Sequence, residues 1–419
     1  MKIYGKVELP GSKSESNRAL IIAALSKESI SIEGLSTAED TQVFLSFLEA
    51  AGYKLESFGT KLIIQKGISP QKPILVDIQQ AGTALRFLPA LAACLPLEVT
   101  FIGEDRLSQR PFYELGKALQ SAGAKIIFPS EFQSLPCKVT GNPNWKPTQF
   151  QLQAGMSSQL ISALLLLAPN LPEGCEIHTD LKTIVSRPYL TMTLKMLFKL
   201  GFNWEEKSFG WKLSLIPQET LKLLINGDWS GASYFLGLAA TRKADILLYP
   251  LSLSGLQGDE QQLNVYQEWG LTVIPEGAGL RVVNEIGNIV KPFTIDLKDM
   301  PDLAPTFAVL AMYSGGECKL TGLETLKLKE SDRITAIADN LTKIGAKMEF
   351  TASSLTITPP QQLKKPECIN TYSDHRMAMA FSILMADHPD LVLNDASVVK
   401  KSFPSYWSQW GMWFYNVKN

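Results

Sequence analysis

Phe47-Leu48-Glu49-Ala50-Ala51-Gly52-Tyr53-Lys54 reads as the apolar end of a helix, a glycine, and the start of a strand. The same phrase returns as Ala118-Leu119-Gln120-Ser121-Ala122-Gly123-Ala124-Lys125 and as Met196-Leu197-Phe198-Lys199-Leu200-Gly201-Phe202. It returns again as Val265-Tyr266-Gln267-Glu268-Trp269-Gly270-Leu271 and as Asn340-Leu341-Thr342-Lys343-Ile344-Gly345-Ala346-Lys347. A degenerate sixth copy is Tyr406-Trp407-Ser408-Gln409-Trp410-Gly411-Met412-Trp413. Glycine adopts the left-handed conformation that ends a helix, so a strand can begin at once. The glycines fall at intervals of roughly 70 residues, longer than a solenoid repeat and long enough for a few strands and two helices. Six such units predict an α/β protein of two domains, three units each. The chain is expected to cross between them near Pro10-Gly11-Ser12 and Asn226-Gly227-Asp228, the latter ahead of the helix start Ser230-Gly231-Ala232-Ser233. Two such crossings would let the domains hinge around a shared cleft.

The 419 residues are enough for two or three domains, and 45% apolar with 19% charged residues is the balance of an ordinary soluble protein. Forty Lys plus Arg against 41 Asp plus Glu argues against a nucleic-acid binder. The five cysteines (Cys94, Cys137, Cys175, Cys318, Cys368) are dispersed with no C-x-x-C, which fits a reduced compartment. Only His178, His375 and His388 are present, so a zinc site is not expected. The N-terminus lacks the apolar core of a signal peptide. The run Leu160 to Ala168 stops at Pro169, short of the ~20 residues a membrane span needs, and is expected to be a buried helix. A cytoplasmic location without membrane partners follows as the expectation.

Arginine and lysine are used differently. Nine arginines stand against 31 lysines, and seven of the nine (Arg18, Arg86, Arg106, Arg110, Arg187, Arg333, Arg376) sit in short Gly/Ser/Pro-punctuated segments. The guanidinium fork binds carboxylate and phosphate oxygens in pairs, so this distribution points to an anionic ligand, against the plainer reading of structural ion pairs. Pro10-Gly11-Ser12-Lys13-Ser14-Glu15-Ser16-Asn17-Arg18 precedes an apolar helical run from Ala19 to Leu25 and leaves backbone N–H groups for an anion. It is not a Walker loop. Ala81-Gly82-Thr83-Ala84-Leu85-Arg86 and Met156-Ser157-Ser158-Gln159 open further apolar helices in the same manner.

Two acids complete the set. Asp302 stands in Met300-Pro301-Asp302-Leu303-Ala304-Pro305 and Glu330 in Lys327-Leu328-Lys329-Glu330-Ser331-Asp332-Arg333. A carboxylate among cations stays ionised and accepts a proton, whereas partial burial favours the donating form. A helix cap for Asp302 and a surface ion pair for Glu330 are the competing readings. Tyr372-Ser373-Asp374-His375-Arg376-Met377-Ala378-Met379 and Lys400-Lys401-Ser402-Phe403-Pro404 add cations at two more junctions, with Asp374 placed to orient His375 or Arg376.

Ten phrases in order, GSKSESNRAL, AGTALRF, RLSQRP, MSSQLISALLLLAP, SRPY, GDWSGASYFL, PDLAP, LKLKESDR, SDHRMAMAFS and KKSFP, closely resemble the 3-phosphoshikimate 1-carboxyvinyltransferase family from Lys2 to about Tyr406. The resemblance implies two similar domains, each of three βαβαββ units around a pseudo-threefold axis (an inside-out α/β barrel), with an active site in the interdomain cleft. One domain would take residues 1–12 and 229–419, the other 13–228. It implies that phosphoenolpyruvate and shikimate 3-phosphate give 5-enolpyruvylshikimate 3-phosphate and phosphate, on the route to chorismate, without metal or organic cofactor and with a monomeric enzyme. Carried over by motif, Lys13, Ser14, Arg18, Ser157, Ser158, Gln159, Ser186, Tyr189, Asp302 and Lys329 would hold shikimate 3-phosphate. Lys13, Gly82, Arg110, Gln159, Arg333, Arg376 and Lys401 would hold phosphoenolpyruvate. Asp302 would accept a proton, Glu330 donate one, and Lys13 assist.

The chain departs from the family pattern at Gln80, where Asn is usual, at Gln79 in place of a glycine, at Phe87 where Pro is common, and at Thr325 where some members have Asn. These bear on a loop shape and one ring contact, not on the reaction. Gly82 is the family position where extra bulk disfavours glyphosate, so sensitivity to that inhibitor is expected. The UDP-N-acetylglucosamine carboxyvinyltransferases share fold and donor but carry a loop cysteine ahead of Arg-Pro, absent from Glu104-Asp105-Arg106-Leu107-Ser108-Gln109-Arg110-Pro111. A non-catalytic anion binder on the same fold is the rival of another class; the presence of Lys13, Asp302 and Glu330 speaks against it.

Overall fold

The computed structural model describes residues 2–152, 157–365 and 368–413. The chain forms two compact units, one of Met1–Gly11, Thr37–Glu39 and Asn226–Asn419, the other of Ser12–Ser36 and Asp40–Ile225. We call them the C-terminal unit and the N-terminal unit.

Five four-stranded sheets share one strand order. In the N-terminal unit, Ile74–Asp77 pairs in parallel with Glu98–Ile102, which pairs antiparallel with Cys137–Thr140, itself the partner of Lys125–Ile127. Helix Gly82–Ala93 makes the parallel crossover and helix Tyr113–Ser121 leads into the closing hairpin, so the unit reads βαβαββ. The same order runs from Gln149–Gln151 to Gly210–Leu215 and, in the C-terminal unit, from Thr294–Asp296 to Leu355–Thr358. The other two sheets take their first strand from a distant part of the chain. Ile3–Glu8 pairs in parallel with Ala244–Tyr249, and Lys222–Leu224 with Ser31–Glu33. Each of those strands ends just before the chain changes unit, and there Gly11 and Gly227 form an antiparallel bridge.

The glycines that set the period act as the sequence predicts. Gly52, Gly123, Gly201, Gly270 and Gly345 all have φ between 89° and 107°, and each is followed by a strand. The sixth copy differs. Only a single parallel bridge, Ile369 to Leu393, flanks helix His375–Met385, and Gly411 opens no strand among the described residues. Its aromatic residues explain the difference. Phe403, Tyr406, Trp410 and Trp413 pack around Phe235 of the buried helix Trp229–Thr241, so this segment covers the core instead of forming a hairpin.

Helices lie inside and sheets outside. In the C-terminal unit Trp229–Thr241, Ala304–Leu310 and His375–Met385 pack on one another, and every residue of the first two is buried. Helices apolar on every side have no solvent face to offer and form the core. Gly82–Ala93 likewise packs against Lys13–Leu25 and Ser158–Leu165 in the N-terminal unit. The apolar run after Gln159 is thus a buried helix, and no described helix is long and apolar enough to cross a membrane. The glycine-ended helices are two-faced: Arg333–Ile344 buries Ile334, Ile337, Leu341 and Ile344 at helical spacing. The sheets keep one wet face, as where Leu355 and Ile357 are buried while Thr356 and Thr358 are half-buried. All five cysteines are free thiols.

Candidate active site

Within each unit the core helices begin side by side. In the C-terminal unit the hydroxyls of Ser233 and Thr306 are 3.0 Å apart, and Arg376 Nη1 donates to the Tyr234 hydroxyl at 3.5 Å. In the N-terminal unit Asn17 Nδ2 donates to Thr83 Oγ1 at 2.9 Å and Arg18 Nη2 to Ser162 Oγ at 3.4 Å. Side chains from the first two turns of three helices therefore meet in each unit, close to the N–H groups and partial positive charge of the helix starts. Such an end is suited to anions.

The C-terminal unit carries one connected charge cluster. Asp302 is the middle residue of the short turn Pro301–Leu303 ahead of helix Ala304–Leu310. Its Oδ1 accepts from Arg333 Nη1 at 2.8 Å and Lys329 Nζ at 3.1 Å, and its Oδ2 from Arg376 Nη2 at 2.8 Å. Burial pushes this carboxyl up, but Arg376, Lys329 and Arg333 outweigh burial and hold it well below the usual carboxylate range. Asp302 is held ionised, and it does not cap helix Ala304–Leu310, where Leu303 stands at the cap position without a side-chain bond. Glu330 Oε2 accepts from Arg333 Nη2 at 2.8 Å and its Oε1 lies 3.8 Å from Lys401 Nζ. Glu330 is half-buried and Arg333 and Lys401 are buried, so this is not a surface ion pair. Burial pushes the Lys329 ammonium down, with Asp302 opposing.

Two supports were not singled out as site residues from sequence. Asp374 caps helix His375–Met385 through the Arg376 N–H at 3.0 Å and takes Arg333 Nε at 2.7 Å. Asp259, buried and bonded to Ser230, is pushed up to about 7 by burial and by the charge of Asp302. The sequence places Asp374 to orient His375 or Arg376, and it takes the Arg376 N–H; Asp259 carries no sequence signal.

In the N-terminal unit the helix begins at Lys13, six residues earlier than the apolar run implied, because Ser12 caps it by accepting from the Glu15 N–H at 3.4 Å. Lys13, Ser14 and Arg18 thus lie on the helix itself. Lys13 Nζ donates to Asp40 Oδ2 at 2.8 Å. Arg18 is buried; it donates to Thr193 Oγ1 at 2.7 Å and to the carbonyls of Ser14 at 2.9 Å and Tyr189 at 3.3 Å. Burial lowers its pKa to about 10. Its guanidinium also lies 5.4 Å from the centre of the Phe87 ring, so the phenylalanine at this departure covers the cation. Ser157 caps helix Ser158–Leu165, accepting from the Gln159 N–H at 3.3 Å. Met156 lies outside the described residues. Ser186 stands before helix Arg187–Lys199 in the left-handed conformation, φ 54°, without a side-chain cap. A non-glycine residue so placed is strained, a condition that concentrates at ligand sites.

A Cβ on Gly82 would stand 2.2 Å from Arg110 Nη1, so the Arg110 guanidinium lies directly on this glycine. Arg86 donates to the carbonyls of Gly82 and Pro111 at 2.7 and 2.8 Å and ties the two loops together. Arg106 is exposed, and Arg187 is half-exposed with Glu206 3.7 Å away. None of those three is among the residues that the motif resemblance assigns to a substrate. Gln80 Nε2 donates to Glu104 Oε2 at 2.7 Å, and the Thr325 hydroxyl is buried without a hydrogen-bond partner among the described residues.

Gln79, where the family pattern has glycine, holds φ 51°. A left-handed L-residue costs roughly 1–2 kcal/mol, part of which glycine would return as unfolded-chain entropy. Gln79→Gly is expected to stabilise the protein by about 0.5–1 kcal/mol, read as a higher urea midpoint. An unchanged or lower midpoint would show that the loop does not carry this strain.

The sequence matches the family model "EPSP synthase (3-phosphoshikimate 1-carboxyvinyltransferase)" over residues 1–410. It is 32% identical over 417 residues to a protein of Vibrio campbellii named 3-phosphoshikimate 1-carboxyvinyltransferase, covering 97% of this chain and 96% of that one. A Bacteroides fragilis protein of the same name is 34% identical over 411 residues, covering 97% and 94%. In fold the chain is similar to the solved EPSP synthase of Acinetobacter baumannii, at 22% identity and a TM-score of 0.73 over 98% of this chain and 96% of that one. The resemblance in motifs, the repeated βαβαββ units and these likenesses agree: the chain belongs to the EPSP synthase (3-phosphoshikimate 1-carboxyvinyltransferase) family.

Proposed function

We propose that the chain transfers the carboxyvinyl group of phosphoenolpyruvate to the 5-hydroxyl of shikimate 3-phosphate, releasing phosphate. The observation that carries the reading is the cluster in which Arg333, Arg376, Lys329 and Lys401 surround the two carboxylates Asp302 and Glu330. Both reactants are phosphorylated carboxylic acids, and each phosphate monoester carries about −1.5 to −2 charge at pH 7. Cations held ready on rigid elements offset that repulsion and bring the reactants into contact. Arg18, Ser14, Ser157, Ser158, Ser186, Tyr189 and Lys329 are the residues we assign to shikimate 3-phosphate. Lys13, Gly82, Arg110, Gln159, Arg333, Arg376 and Lys401 are those we assign to phosphoenolpyruvate.

The chemistry balances as addition and elimination. The acceptor hydroxyl oxygen bonds to C2 of phosphoenolpyruvate while C3 takes a proton and becomes a methyl group. The C2–phosphate bond then breaks, and a proton lost from the methyl restores the double bond. Asp302 takes the hydroxyl proton as that oxygen bonds to C2. It gains basicity when the anionic reactants draw on the charge of Lys329 and Arg376 that otherwise depresses it. Glu330, between Arg333 and Lys401, is assigned the proton at C3, with Lys13 assisting. The free cysteines suit a reducing, cytoplasmic setting.

Phosphate release from phosphoenolpyruvate, measured with shikimate 3-phosphate and separately with UDP-N-acetylglucosamine, tests the reading. Turnover is expected with the first acceptor only; none with shikimate 3-phosphate would defeat it. Glyphosate is expected to inhibit. Gly82→Ala should push Arg110 aside, because its new methyl would stand within 2.2–2.8 Å of the guanidinium. We expect KM for phosphoenolpyruvate to rise about tenfold, and inhibition by glyphosate to weaken at least as much, for a displacement of this size. Unchanged KM and inhibition would separate Arg110 from the donor.

A further inference from the structure

Tyr372 and Ser373 are consecutive non-glycine residues in the left-handed region, at φ 53° and 55°. Each such residue costs roughly 1–3 kcal/mol and persists only where its surroundings over-determine it. The pair immediately precedes Asp374, whose carboxylate takes Arg333 Nε and the Arg376 N–H, and Arg376, whose guanidinium reaches Asp302. The strained turn therefore sets the place of two guanidinium groups at once.

What holds the turn comes largely from helix Arg333–Ile344. The Tyr372 hydroxyl donates to Asp339 Oδ2 in a short hydrogen bond, and the next residue, Asn340, grips Asn370 from both sides: its Nδ2 donates to the Asn370 carbonyl at 2.8 Å and its Oδ1 accepts the Asn370 N–H at 2.9 Å. Asn370 Oδ1 in turn accepts the Tyr372 N–H at 2.9 Å. The circuit is closed, because the helix that restrains the turn through Asp339 and Asn340 begins with Arg333, and Arg333 is gripped by the Asp374 that the turn presents.

We infer that Tyr372 is a positioning residue: through Asp339 it locks the strained turn that fixes Asp374, and so aligns Arg333 and Arg376 on the anionic donor. Tyr372 is half-buried, its ring packs on the apolar core, and its hydrogen bonds among the described residues go to Asp339 and Asn370, so we assign it an effect through the turn and not a contact with a reactant. The inference rests on the assignment of Arg333 and Arg376 to phosphoenolpyruvate.

Tyr372→Phe keeps the ring and removes the hydroxyl. We expect KM for phosphoenolpyruvate to rise about tenfold, since small misplacements of binding groups weigh heavily, with KM for shikimate 3-phosphate changed less than about twofold. Ser373→Gly removes left-handed strain without touching Asp339, so adding it to Tyr372→Phe should recover most of the lost affinity. A Tyr372→Phe enzyme with unchanged KM for phosphoenolpyruvate, whether or not its melting temperature falls, would overturn the inference, as would failure of Ser373→Gly to restore a raised KM. Wild-type enzyme assayed alongside separates the two readings: absence of turnover there defeats the function itself, and normal turnover with an unaffected variant defeats only the positioning role.

Discussion

Glu330→Gln is expected to lower kcat by about a hundred- to ten-thousand-fold, the range a positioned general acid contributes. The substitution keeps the size of the side chain and an oxygen to accept from Arg333 Nη2, so the fold around it should survive. What it removes is the proton that C3 must gain. It also removes a negative charge shared by Arg333 and Lys401, and those cations would then face the donor without a competing carboxylate. Binding of phosphoenolpyruvate should therefore hold or tighten while turnover collapses, a split that mere damage to the site would not produce. Steady-state kinetics with equilibrium binding of both substrates measures it. A kcat within about threefold of wild type would remove Glu330 from proton transfer, because no general acid is worth so little.

How much of this was legible in sequence follows from the range of the forces involved. The period was legible because a helix that must turn straight into a strand needs a left-handed residue, and five glycines mark that need at Gly52, Gly123, Gly201, Gly270 and Gly345. The charged residues were legible because anion chemistry restricts which types can serve, and Asp302, Lys329, Glu330, Arg333, Arg376 and Lys401 form one bonded cluster. Partners of long sequence separation were not. Nothing local marks Thr193 as the hydroxyl that receives Arg18, or Ile3–Glu8 as the strand that completes a sheet with Ala244–Tyr249. For Arg86 the sequence left ligand binding and structural pairing both open, since a guanidinium satisfies carbonyl oxygens as readily as an anion, and in the fold the Pro111 and Gly82 carbonyls stand within reach. The start of the helix at Lys13 was missed because polar residues at Ser14, Glu15 and Ser16 masked helical backbone, though Ser12 with Glu15 three residues on was a capping signal in view.

Arg333→Met should be the most damaging single change to stability in the cluster. Arg333 is 1% exposed and serves three carboxylates, Asp302, Glu330 and Asp374, the last wholly buried. Methionine fills much of the volume but leaves those charges uncompensated, and removing one partner of a buried ion pair costs about 3–5 kcal/mol. Donor binding should be lost together with stability. The pH dependence distinguishes charge from packing. In the wild type burial raises the Asp302 pKa, but Arg376, Lys329 and Arg333 more than offset this and hold it well below its unfolded value. That carboxylate thus contributes stability above the ordinary carboxylate pKa of about 4 and loses it as pH falls toward the lower folded value. In the variant one of the three cations that depress Asp302 is gone, so that carboxylate binds its proton at a higher pH than in the wild type. The stability gap between wild type and Arg333→Met should accordingly be widest near pH 8 and narrow as pH falls below the ordinary carboxylate value of about 4, measured as denaturant midpoints at each pH. A gap that stayed constant with pH would mean that lost packing, not unpaired charge, is what Arg333 prevents; equal midpoints at pH 8 would mean that the buried carboxylates do not depend on it at all.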